Sequence, residues 1–95
     1  MKTKVIFRQW ADGSIIALFP ELQGDQSFYN CLSYEHTGQH GAADIVGVIR
    51  DTFKPYAGKA DDLKKELETI GYNLDVKQRY SWTMLHNRNR QERTA

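Results

Sequence analysis

The chain is 95 residues long, 40% hydrophobic and 26% charged, with a formal net charge of +1. A chain of this length buries roughly 60–65% of its unfolded surface, enough for one modest core. The composition argues against extended disorder, and the near-neutral charge excludes a strong long-range field.

The charge is nonetheless uneven. Residues 1–51 carry four Lys/Arg against six Asp/Glu, residues 52–72 four against four, and residues 73–95 five against two. The lone Cys31 cannot form an internal disulfide, which favours a reducing compartment. No run approaches the roughly 18–20 apolar residues of a membrane helix, and MKTKVIFRQW lacks the apolar stretch of a signal peptide. These features lead us to expect a soluble, cytoplasmic protein with no cofactor, no metal and no membrane partner.

Residues 3–10 (TKVIFRQW) and 15–19 (IIALF) are rich in β-branched and aromatic residues and flank Ala11-Asp12-Gly13-Ser14. Asp-Gly between two such runs predicts a hairpin. A two-residue Asp12-Gly13 loop sets Trp10 against Ile15, Arg8 against Ala17 and Ile6 against Phe19. One face then holds Val5, Phe7, Ile16 and Leu18. The other holds Ile6, Trp10, Ile15 and Phe19, with Arg8 among them. Both faces are apolar, whereas a small antiparallel sheet ordinarily keeps one face wet. The second face needs cover from the same chain, a second copy or a partner, so Ile6, Arg8, Trp10, Ile15 and Phe19 are the interface candidates.

Pro20 is read as ending the second strand, residues 21–27 as a polar loop, and residues 28–35 as a third strand. In that strand Phe28, Asn30, Leu32 and Tyr34 share one face, and Tyr29, Cys31, Ser33 and Glu35 the other. Residues 36–43 (HTGQHGAA) read as a loop. Ala42, Ile45, Val46, Ile49 and Phe53 sit at helical spacing behind a capping Asp44, although IVGVI also suits a buried strand. The clearest helix covers about 60–70. It has a Leu63/Leu67/Ile70 stripe, Asp61 and Asp62 in its first turn and Gly71 as its stop. Residues 72–80 alternate as a half-buried strand. The expected fold is α+β: a small antiparallel sheet in the order β-β-β-(short α)-α-β, with one main helix packed on one face. Residues 1–81 form the expected single domain, and 82–95 a basic, partly flexible tail.

Cys31, His36 and His40 have the spacing C-x4-H-x3-H and are residue types that zinc accepts. A closed site needs four ligands, and a buried cysteine beside two solvated imidazoles is the simpler reading. A nucleophilic Cys31 would have to be a partly exposed thiolate, whereas a mid-strand cysteine is usually a small core hydrophobe. Thr37–Gly41 lacks the phosphate-cradling glycine patterns. Loops on a rigid sheet still tend to carry binding residues, which makes His36, Gln39 and His40 candidates for a nucleotide or small ligand. Lys77, Arg79, Trp82, Arg88 and Arg90 interleave basic and aromatic groups and are the nucleic-acid candidates. The sequence pI of about 7.9 is below the footprint expected of such proteins. The acidic pairs Asp61/Asp62 and Glu66/Glu68 are explained as a solvated, dipole-compensating helix face. No acid, base and nucleophile are placed together, so no enzymatic activity is expected.

The segments KVIFRQWADGSIIALFPE, SYEHTGQHGAAD and DDLKKELETIGYNLDVK together resemble small proteins found in gut bacterial and bacteriophage genomes. The resemblance runs to about Arg79 and fades beyond it. That group brings no established activity, ligand or catalytic residue, so it implies context only: a short accessory protein of a phage or mobile element. The expected function is a non-enzymatic binding module acting through a protein partner or through self-association as a homodimer, with inhibition of a host system as one such action. The alternatives are nucleic-acid binding by the basic strand and tail, and ligand binding at residues 36–41.

Overall fold

In the computed structural model, which describes residues 2–26, 30–35, 39–81 and 83–88, the first two apolar runs form strands β1 (Thr3–Gln9) and β2 (Ile15–Gln23). A three-residue loop joins them. The Trp10 amide donates to Ser14 O and the Gly13 amide to Trp10 O, each at 2.9 Å. Gly13 has φ +93°, the left-handed residue that closes a three-residue hairpin and that glycine adopts without strain. The Asp12 carboxylate accepts from the Ser14 amide and hydroxyl, which holds its carboxyl below the ordinary range.

The loop is one residue longer than the expected two. Ile6 therefore lies opposite Leu18, Phe7 opposite Ala17 and Arg8 opposite Ile16. Side chains alternate along a strand, so one residue of register regroups both faces. Val5, Phe7, Ile15, Ala17 and Phe19 belong to one core; Ile6, Trp10, Ile16 and Leu18 belong to the other.

β2 runs through Pro20 rather than ending there. Its pairing with β3 (Asn30–Glu35) is irregular between Phe19 and Gln23, a stretch where proline's missing amide is tolerated. Residues 39–43, expected as loop, belong to β4 (Gln39–Asp44), which pairs antiparallel with β3 through Tyr34–His40, Ser33–Gly41 and Cys31–Ala43. Glycine and alanine are poor strand formers, so the β3 ladder rather than local propensity makes this strand. β4 passes directly into helix α1 (Ile45–Asp51). Asp44 stands at its N-cap position, but its side chain makes no capping hydrogen bond.

Helix α2 (Asp61–Thr69) buries Leu63 and Leu67. Ile70, expected in the same stripe, is 53% exposed because it is the C-cap residue and the chain reverses there. Gly71 (φ +117°) donates to Glu68 O, and the Tyr72 amide to Leu67 O at 3.1 Å. This is a left-handed helix stop that turns Tyr72 back onto the core, where it stacks on Phe19 with centroids 4.9 Å apart. Strand β5 (Leu74–Val76) is three residues long and pairs parallel with β1, Thr3 opposite Leu74 and Val5 opposite Val76. The sheet order is β4-β3-β2-β1-β5.

The result is an α+β fold on a five-stranded, mostly antiparallel sheet, with α2 as the main helix on one face. The other face is covered too, by α1 and by a short helix α3 at residues 83–88. Its core holds Ile6, Ile16, Leu18, Cys31, Ile45 and Met84, flanked by Trp10, Val48, Ile49 and Tyr80. Asn87 of α3 donates to Glu21, which also pairs with Lys4 at 3.2 Å. Burying a large apolar side chain stabilises by about 1.5–3 kcal/mol, so this second core matters as much as the first. Residues 83–88, expected within the basic, partly flexible tail of 82–95, contribute Met84 to it. Among the described residues no helix is long and apolar enough to cross a membrane.

Candidate functional site

The cover over the second face is incomplete. Where α1, the connector after it and the segment following β5 meet, they leave an open groove of about 670 Å³. Its lining is Ile6, Arg8, Val46, Ile49, Lys54, Gln78, Arg79 and Tyr80. Three of these are cations and none is acidic. Ile6, Val46 and Ile49 supply an apolar surface beneath them, and Val46 is 62% exposed. Lys54 and Arg79 are exposed at the rim.

Arg8 is held in place. Its Nε donates to Thr52 Oγ1 at 2.9 Å, and its Nη2 to Ile49 O and Thr52 O at 3.1 and 2.7 Å. These carbonyls belong to the C-terminal end of α1, where cations are favoured. Part of Arg8's charge is therefore spent within the fold, and Lys54 and Arg79 carry the charge that faces solvent. Tyr80 packs against the second core; burial pushes its hydroxyl above the ordinary value, and nearby Arg88 pulls the other way.

Of the interface candidates, Ile6 and Phe19 are 1% and 0% exposed and sit in opposite cores. Ile15 packs toward α2 and Trp10 toward the second core, each half-buried. The five candidates do not form one surface, because the one-residue register difference distributes them between two faces. Only Ile6 and Arg8 reach the groove. Of the nucleic-acid candidates, Arg79 lines the groove, while Lys77 lines a separate depression with Phe7, Ala60 and Asp61 and pairs with Asp75 at 3.4 Å. Arg88 is 1% exposed and buried under the second face, so it is not presented to a partner. Trp82 and Arg90 lie outside the described residues.

Of the ligand-loop candidates, His36 and the side chain of Gln39 lie outside the described residues. His40 is engaged on the α2 face: Nε2 meets the Tyr72 hydroxyl at 2.8 Å, and its ring lies edge-on to Tyr34 with centroids 4.8 Å apart. Cys31 faces the other core, so the sheet separates it from His40. Burial pushes the Cys31 thiol up to about 11, despite the opposing pull of Arg88. A thiol so placed is neither a nucleophile nor a ready ligand at neutral pH.

Comparison with known protein families, with curated proteins and with solved structures gives no significant match.

Sequence reasoning did not bring Val46, Ile49 and Lys54 to the site. The signal was present in α1: a seven-residue helix cannot bury Ile45, Val46 and Ile49 on one sheet, and the surplus apolar residue is the exposed Val46.

Proposed function

We propose that the chain is a non-catalytic binding module that accepts an acidic, partly apolar segment of a protein partner in the groove between α1 and residues 78–80. The supporting observation is the lining itself: Arg8, Lys54 and Arg79 around Ile6, Val46 and Ile49, with no carboxylate among the lining residues. An acidic segment carrying a leucine or phenylalanine would satisfy both parts of that surface. A phosphate backbone would use only the cations, and near-neutral net charge gives it little additional attraction. In the context that the sequence resemblance implies, the partner is a host or phage protein.

The test is fluorescence anisotropy with a labelled peptide alternating glutamate and leucine, a serine-for-glutamate control, and a single-stranded oligonucleotide. We expect binding of the acidic peptide alone, at least about tenfold weaker for the double variant Lys54→Glu/Arg79→Glu. Binding of the oligonucleotide in preference to the peptide would replace this reading with the nucleic-acid one. No binding by either would remove the groove as a site.

A further inference from the structure

The outer edge of β1 is paired at both ends and open between them. The Trp10–Ser14 bond puts the even-numbered residues of β1 in bonded pairs with β2, since bonding alternates every two residues in an antiparallel ladder. The amides and carbonyls of the odd-numbered residues therefore point the other way, toward β5. The Thr3 amide donates to Asn73 O at 2.7 Å, and Val5 O accepts from the Lys77 amide at 2.8 Å. Further along, Gln9 exchanges both of its bonds with Phe53, at 2.8 and 3.0 Å. Phe7 lies between. β5 pairs only as far as Val76, opposite Val5, and among the described residues neither the amide nor the carbonyl of Phe7 meets a backbone partner.

Two depressions converge on that rung of the ladder. The groove on the second face is lined by Ile6 and Arg8, the neighbours of Phe7. The depression of about 170 Å³ on the α2 face is lined by Phe7 itself. Lys54 and Gln78 wall both. The space between residues 54 and 78 thus passes over the sheet edge at the point where Phe7 presents a donor and an acceptor side by side.

We propose that the partner segment in the groove sets one carboxamide, the side chain of an asparagine or glutamine, against Phe7, an inference that rests on the groove reading. The carboxamide oxygen accepts from the Phe7 amide, and its NH2 group donates to the Phe7 carbonyl. A carboxylate has no proton for the carbonyl, and an ammonium has no acceptor for the amide, whereas a planar carboxamide carries both on neighbouring atoms. A strand residue offers the same two groups but needs a length of edge that the chain at residues 77–78 and 53–54 already occupies. Leaving the pair unmet in a closed complex would cost binding, which makes the rung a point of selection. The internal rival is Gln78, whose own carboxamide belongs to an exposed residue lining both depressions.

The test moves a single glutamine along the alternating glutamate–leucine peptide and measures binding to the full chain by fluorescence anisotropy. Hydrogen exchange of the isotope-labelled chain is followed in each complex. We expect one position at which glutamine tightens binding about tenfold over the unsubstituted peptide, with methionine there giving no gain. In that complex the Phe7 amide should exchange at least about tenfold more slowly than in the complex with the unsubstituted peptide, while Ile6 and Arg8, bonded to β2, exchange alike in both. A gain without slower Phe7 exchange puts the carboxamide elsewhere and overturns the proposal. Binding of the unsubstituted peptide with a flat glutamine scan overturns it and leaves the groove reading standing, whereas no binding by any peptide overturns both. Faster Phe7 exchange in free Gln78→Ala than in the free unsubstituted chain shows that Gln78 fills the rung, and also overturns the proposal.

Discussion

Arg8 lies on an otherwise apolar strand face because it completes a helix. Short helices leave their last carbonyls without intrahelical partners, and here one guanidinium reaches two carbonyls and the Thr52 hydroxyl at the end of α1. Arg8→Ala should therefore destabilise the fold by about 2–3 kcal/mol, read as a lower midpoint in urea unfolding. Arg8→Lys should recover little, since one ammonium cannot copy the planar fork. Cys31 makes a second residue-scale prediction. Its folded thiol is raised to about 11 from 9.0. Below pH 9 both folded and unfolded chains keep the proton, and Cys31 adds no pH dependence. Above it the unfolded chain releases the proton first, so stability falls as pH rises and levels near pH 11, a loss of at most about 2–3 kcal/mol. Tyr34, Tyr72 and Tyr80, all raised, steepen the same fall above pH 10. Cys31→Ala should flatten the decline between pH 9 and 10 in stability measured by denaturant titration.

At the scale of elements, periodicity located β1, α2 and the start of β2 within a residue or two, since each carries its own pattern, whereas β2 runs past its expected stop at Pro20 to Gln23. What failed was counting through the turn. Asp12-Gly13 marks a hairpin, but the glycine closes a three-residue loop rather than forming half of a two-residue one. Nothing in the flanking residues separates the two, because both strand faces are apolar in either register. β4 was illegible for a different reason: Gly41, Ala42 and Ala43 form a strand only because β3 offers them a ladder. Gly13 itself is testable. Gly13→Ala forces φ +93° on a residue with a Cβ that has open space around it, so the cost is backbone strain alone, about 1 kcal/mol. Thermal unfolding should show a drop of a few degrees with the fold intact.

The whole molecule is a sheet covered on both sides, and the groove proposed as its binding surface is what the second cover leaves open. That surface was half legible in the sequence. An excess of apolar residues in the first hairpin announced a second buried face, and Arg79 was visible as a basic residue near the end of the sheet. Val46 and Lys54 reach the groove only through the path of the chain after β4, which local patterns do not encode. The same architecture makes residues 83–88 part of the fold. Met84 is 5% exposed and Arg88 1% exposed, above the sheet near Cys31 and Tyr80. Ending the chain at Ser81 should uncover that core, whereas a dispensable tail would leave it unchanged. Met84→Ala alone should cost about 2–3 kcal/mol. Cys31 reports the difference directly, because its thiol is fully buried in the complete chain. In the complete chain a thiol reagent at pH 8 should label it only as fast as the second face opens. The shortened chain should label many times faster and bind a hydrophobic dye. Equal labelling rates in the two would show that α3 contributes nothing to closing the second face.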